Sequence, residues 1–150
     1  MSQKMTNMNI GELTVAVGSS VAYYPRLAIA VGGNRPGILL CWLLYWYEKG
    51  NDEDGWIWKN SDEIEAETGL SYEEQKTARK QLRSTGILEE KYDRLNHRMG
   101  FRIDLDRLET VWEETLEKHP DWSRHLHAKR DSQPEPCNSV KPPDKNKTRR

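Results

Sequence analysis

Between Lys76 and Arg102 the chain carries eight basic residues (Lys76, Arg79, Lys80, Arg83, Lys91, Arg94, Arg98 and Arg102) against three acidic ones. Cations clustered at helical and strand spacing create a local field suited to phosphate oxygens. The flanks sharpen the contrast: residues 1–75 sum to −6, residues 76–102 to +5, residues 103–122 to −5 and residues 123–150 to +5, within a chain of net charge −1. Thr77, Asn96 and His97 stand among these cations and add hydrogen-bonding groups able to reach base edges or phosphates. Ser71 and Tyr72 precede them at a helix start, where free N–H groups and the positive dipole end favour an anion. Glu73 and Glu74 have the opposite sign; Glu74 is accounted for as a cap, and Glu73 can accept from a cytosine amino group. Chance segregation of surface charge is the competing explanation.

Other chemistry is thin. His119, His125 and His127 are close in sequence but lack carboxylate or thiolate company, so no metal is expected. There is no Gly-rich phosphate loop, nucleophile elbow or HExxH pattern. The expectation is a protein that is not an enzyme and carries no cofactor. Cys41 lies in an apolar run and Cys137 in a polar one, a spacing that suggests neither disulfide nor metal and points to a reducing compartment. The N-terminus lacks the pattern of a signal peptide. The apolar run from Ile38 to Tyr47 is about half the roughly 20 residues needed to cross a bilayer. A cytoplasmic location is therefore expected.

The elements that must position the basic cluster follow from caps and periodicity. Leu13–Val17 has the composition of a short strand, closed by Gly18-Ser19-Ser20. Pro25 opens a short helix that stops at Gly32-Gly33, and Asn34-Arg35-Pro36 opens a second, which ends at Gly50. That second helix is apolar all round, so it must be central, with Trp42 and Trp46 one turn apart in the core rather than around a cofactor. Trp56-Ile57-Trp58 reads as a short strand. Asn60 and Glu63, then Ser71 and Glu74, have capping-box spacing and bracket a short helix ended by Gly69, a buried Leu70, and a helix running to about Thr85. Ala78 and Leu82 mark the inner face of this last helix, leaving Glu73, Lys76, Thr77, Lys80 and Arg83 outward with Arg79 flanking. Ile87–Tyr92 and Arg98–Ile103 read as a hairpin with a polar, basic tip. Leu105, Leu108, Val111, Trp112, Thr115 and Leu116 recur at helical spacing to about His119. From there the chain is rich in Pro, Lys, Arg and Asn and nearly free of aliphatics, which predicts a disordered basic tail.

The fold expectation is mainly α with a small β-hairpin (α+β), in the order of a winged helix-turn-helix. Its organisation is an N-terminal extension over 1–20, a folded domain over 21–118 and the tail over 119–150. The segments YYPRLAIAVGGNRPGILLCWLLYW, GWIWKNSDEIEAETGLSYEEQKTARKQLRSTGILEEK and RMGFRIDLDRL carry a further signal. Across about Tyr23 to Leu108 they resemble the winged-helix domain of phage and prophage replication-initiation proteins and related phage DNA-binding proteins. The resemblance implies a recognition helix over Ser71–Arg83 and a wing over Lys91–Arg98. Initiators of that group carry a further C-terminal domain that recruits helicase or loader, whereas this chain has only its basic tail, so a stand-alone regulator is equally expected.

The function expected is duplex-DNA binding in replication initiation or transcription control, with Ser71, Tyr72, Glu73, Lys76, Thr77, Arg79, Lys80, Arg83, Lys91, Arg94, Asn96, His97 and Arg98 as the contact set. The tail end, Lys141–Arg150, either adds non-specific attraction to DNA or only solubilises the chain. The alternative is a protein-interaction module, an adaptor or inhibitor of a host protein, working through the acidic segments Asp52–Asp54, Asp62–Glu67 and Glu109–Glu117. A host or phage replication protein, and a second copy docked through the 105–116 helix, are the protein partners considered. No membrane is expected.

Overall fold

Asn9 accepts from the Glu12 N–H at 2.9 Å while Glu12 accepts from the Asn9 N–H at 3.1 Å, and this capping box starts helix α1, Ile10–Val17. The computed structural model describes residues 9–18, 20–50 and 52–122. The strand expected over Leu13–Val17 is thus helical: a local cap outweighs the β preference of Thr14, Val15 and Val17. None of its residues is buried.

Helix α2, Pro25–Val31, starts on the proline and stops at Gly32 in the left-handed conformation. Helix α3, Asn34–Lys49, leaves at 116° to it. As its all-round apolar surface requires, α3 is the centre of the molecule: Leu39, Leu40, Trp42 and Leu43 are fully buried. Around it lie strand β1 (Ile57–Lys59), helices α4 (Ser61–Thr68) and α5 (Tyr72–Ser84), strands β2 (Leu88–Asp93) and β3 (Arg98–Ile103), and helix α6 (Leu105–Lys118). The strands form one antiparallel sheet in the order β1-β3-β2, so the short β1 closes the free edge of the hairpin. Its register sets Ile57 opposite Phe101 and Glu90 opposite Phe101 from the other side; Trp58, Gly100 and Lys91 form the next row. Ile57, Leu88, Phe101 and Ile103 point into the core, where Phe101 meets Trp42 edge-on at 6.3 Å. Strand alternation then sends Trp58, Lys91 and Arg102 to the opposite, solvent face. The architecture is mainly helical with a small three-stranded antiparallel sheet, an α+β fold.

Trp42 and Trp46 are held by a shared acceptor. Both indole N–H groups donate to Glu67 Oε2, at 2.6 and 2.7 Å, and Lys59 donates to Oε1 at 3.2 Å. This ties α3, β1 and α4 at one point. In α6, Val111 joins the core and Leu108 packs against it, so the apolar stripe of this helix is largely used within its own chain; Leu105 stays exposed.

The chain divides into a unit ending at Thr115 and a second beginning at Leu116. In the second, residues 120–122 are helical and the His119 ring stacks on Trp122 at 4.2 Å, where composition predicted disorder from 119. An aromatic pair one turn apart supplies the local contact that the composition argument ignores. The rest of the expected tail, with His125, His127, Cys137 and Lys141–Arg150, lies outside the described residues. Cys41 is a buried free thiol. Among the described residues no single helix is long and apolar enough to cross a membrane.

Candidate nucleic-acid interface

The α4–α5 pair is built from local signals. Asn60 and Glu63 form a complete capping box, with distances of 2.8 and 2.9 Å. Gly69 ends α4 at φ +74°, a conformation that costs little only for glycine, and its N–H returns to Glu65 O at 2.7 Å. Leu70 is buried, and Ser71 with Glu74 forms the second capping box. One residue unmarked by any motif locks the pair. Gln75 is 2% exposed and its amide donates to Ser61 O and Leu70 O, both at 2.9 Å. It joins the start of α4 to the turn before α5, adding a second donor to the helical Ser61 carbonyl and satisfying the buried Leu70 carbonyl.

With Gln75, Ala78 and Leu82 inward, α5 turns Tyr72, Glu73, Lys76, Thr77, Lys80 and Arg83 to solvent. Lys76 pairs with Glu73 at 3.3 Å and lies 5.4 Å from the Tyr72 ring centre. The Thr77 hydroxyl donates back to Glu73 O at 3.1 Å. Lys80 enters no ion pair or hydrogen bond among the described residues. Ser71, expected to meet a phosphate, spends its hydroxyl on the Glu74 N–H at 3.3 Å. Glu74 also meets Arg35 of α3 at 3.5 Å, and its carboxyl is held below its ordinary pKa first by the Ser71 N–H and hydroxyl and then by that guanidinium.

Arg79 is placed differently from the flanking surface position expected. Its side chain is only 16% exposed and faces Glu90 of β2 at 3.5 Å, an ion pair without a hydrogen bond. Arg83 bonds the other oxygen of Glu90 but stays half exposed. Two α5 guanidinium groups therefore converge on one largely buried carboxylate and fasten α5 to the hairpin.

At the hairpin tip Asp93 organises the turn. Its oxygens accept from the Leu95 N–H at 3.1 Å, the Asn96 N–H at 3.3 Å and the Asn96 amide at 2.7 Å. These donors, led by the Asn96 side chain, hold the carboxyl below its ordinary pKa. His97 takes φ +50°, and Arg94 projects with no partner among the described residues. Arg98 pairs with Asp93 at 3.4 Å and lies 4.8 Å over Trp58. Lys91 sits 5.6 and 5.8 Å from the rings of Trp56 and Trp58.

The expected contact set thus divides in three. Tyr72, Glu73, Lys76, Thr77, Lys80 and Arg83 share the open face of α5; Arg94, Asn96 and His97 form the hairpin tip; Lys91 and Arg98 belong to the outer sheet face. Arg79 is engaged inside the fold, and Ser71, though exposed, is committed to its capping box with Glu74. Sequence reasoning missed Gln75, Glu90 and Glu67, whose partners are distant in sequence. It also left Arg102 out of the set, although Trp56, Trp58 and Arg102 are all outward by strand alternation, a signal available from period two alone. No family model, curated protein or solved structure matches this chain.

Proposed function

We propose that the chain is a winged-helix module that binds double-stranded DNA, with α5 as the groove-entering helix and the β2–β3 hairpin as the wing. The observation that carries this reading is the open face of α5. Lys76, Thr77, Lys80 and Arg83 are presented together, exposed, on a capped helix face that no other element covers among the described residues. A single α-helix fits the major groove, and cations on its outer face supply phosphate and guanine contacts. Arg94, with no competing carboxylate partner among the described residues, is the wing residue best placed to follow the backbone. The resemblance to phage replication-initiation proteins supports a role on a mobile element, in replication initiation or transcription control, in the cytoplasm.

The test is fluorescence anisotropy of the full chain with a short duplex across a salt series. K76E/K80E is expected to weaken binding by about tenfold or more and to reduce the salt slope by about 2, the effect of losing two phosphate contacts. Unchanged affinity and slope in a folded double variant would refute the assignment of α5.

A second reading has its own observation. Asp62 and Glu65 on α4, and Glu109 and Glu113 on α6, are exposed and stand in no ion pair among the described residues. These carboxylates are available to a basic protein partner, the role of an adaptor or inhibitor. Glu67 and Asp52 are not, because their oxygens are taken by indole and backbone donors. A nuclease-resistant stoichiometric complex lost in D62K/E65K would favour it.

A further inference from the structure

Among the described residues no helix covers the outer face of the sheet, which carries two tryptophans interleaved with three cations. Trp56 and Trp58 lie side by side with ring centres 6.2 Å apart and planes inclined at 35°. Arg102 lies 4.7 Å from the Trp56 ring and Arg98 4.8 Å from the Trp58 ring, with Lys91 between the two indoles. Beneath Trp58 the central strand has Gly100, where a Cβ would stand 2.9 Å from the indole. The missing side chain lets the ring lie flat on the sheet. The Trp58 N–H donates to Asp52 Oδ2 at 2.9 Å, which fixes its orientation.

Two indoles on the wet side of a three-stranded sheet add nothing to the core, which is already filled from the other side by Ile57, Phe101 and Ile103. We propose that this face is a second nucleic-acid site, one that takes a single strand by stacking its bases on the Trp–Arg layers and seating its phosphates on Lys91 and Arg102. It goes beyond the duplex reading and does not depend on it. The chemistry favours a single strand over a duplex: the face is broad and has no protruding element to enter a groove, and planar indole and guanidinium groups engage only unstacked bases. The charge is complementary as well. Lys91 stands in no ion pair among the described residues. Two of the three nearby carboxylates are occupied by the backbone: Asp52 accepts from the Asp54 and Trp56 N–H groups at 3.0 and 2.8 Å, and Asp93 from the turn at the hairpin tip. Glu89 pairs with Arg102 at 2.9 Å, but both side chains are more than two-fifths exposed, so a phosphate can replace it with little loss. Because α5 packs on the inner side of the sheet, the two sites point away from each other.

The test measures anisotropy of the full chain with a labelled 15-nucleotide oligothymidylate and, separately, with a duplex. Two variants are compared with the unaltered chain: R102E, whose side chain is outside the core, and W56A, each checked for fold by circular dichroism. The expected result is that each weakens single-strand binding by about tenfold, in the range that base stacking on one aromatic ring supplies, and leaves duplex affinity within about twofold. K76E/K80E is expected to show the reverse pattern, so failure of either site is read separately. Single-strand binding that is absent at low salt, leaving the face to a protein, overturns the proposal, as does binding indifferent to both sheet variants. An equal loss of duplex affinity in R102E also overturns it, because the face would then belong to the duplex contact.

Discussion

Removing the Glu67 carboxylate tests how the fold is held together where three elements meet. In E67A the Trp42 indole N–H, on a side chain with no exposure, loses its acceptor and cannot turn to water. Leaving a buried donor unpaired costs about 1–3 kcal/mol. Trp46 is half-buried and can be rehydrated, so its loss is smaller, roughly 0.5 kcal/mol. Lys59, 16% exposed, gives up an ion pair worth about 0.5 kcal/mol, discounted because Glu67 itself is one-third exposed. The total is about 2–4 kcal/mol, a fall in Tm of roughly 8–16 °C for a domain near 100 residues. E67Q keeps one acceptor oxygen and should lose about half as much. The pH dependence has a definite sign. Burial pushes the carboxyl pKa up, but the donors Trp42, Trp46 and Lys59 outweigh it and hold it below the ordinary value. A group with a depressed folded pKa contributes stability above its unfolded pKa, about 4.3, and loses it as pH falls through the folded one. Urea melts followed by tryptophan fluorescence should therefore show a gap between the unaltered chain and E67Q that is full at pH 7 and narrows below about pH 4. A gap below 0.5 kcal/mol for E67A at pH 7, or a gap for E67Q independent of pH, would refute the reasoning.

Two further predictions concern the α4–α5 pair and its link to the hairpin. Q75L keeps the bulk of a buried side chain but strands the buried Leu70 carbonyl and unlinks it from Ser61, and should destabilise by about 2 kcal/mol in a urea melt, with faster amide exchange at the turn. E90A removes the single carboxylate facing Arg79 and Arg83 and should cost about 2–4 kcal/mol, most of it from Arg79 left charged in a nearly closed site; R79M/E90L at the same positions should recover most of that loss, and no recovery would show that packing, rather than charge, sets the cost.

Much of the scaffold was legible because its signals are local. A cap is read from two residues three apart, and both boxes flanking α4 and opening α5 form at the expected positions, Asn60–Glu63 and Ser71–Glu74. The same signal was present at Asn9–Glu12 but was masked by the β-branched residues after it, which is why Leu13–Val17 read as a strand. The inward positions Ala78 and Leu82 followed from periodicity and fixed which face of α5 is open. Partner choice between distant residues was not legible. Nothing in the spacing of Arg79 distinguishes a cation free to meet phosphate from one paired with Glu90 across a turn. Nor did composition show that β1 would add to the hairpin beside β3, since three residues carry too little pattern to choose an edge.

The pairing of cations inside the fold has a consequence for how any phosphate would be held. Lys76, Arg83, Arg98 and Arg102 each already face a carboxylate, at Glu73, Glu90, Asp93 and Glu89 respectively. A phosphate arriving at Lys76 or Arg102 displaces an exposed partner, an exchange that costs little because such pairs contribute at most about 1 kcal/mol. At Arg83 the exchange is different, because Glu90 is only 9% exposed and Arg83 supplies its guanidinium hydrogen bond, which Arg79, an ion-pair partner without one, does not replace. Arg83 would have to contact phosphate with its free edge while keeping Glu90, which fixes its direction rather than leaving it to search. Charge at the interface is thus graded: among the described residues Lys80 and Arg94 are unencumbered, Lys76 and Arg102 exchange partners, and Arg83 is held by Glu90. Reversing Lys80 or Arg94 should therefore act on binding alone, whereas altering Arg83 should lower stability as well. A chain of net charge −1 with its cations sorted in this way can present a basic surface without the self-repulsion that an unpaired cluster would impose on the folded state.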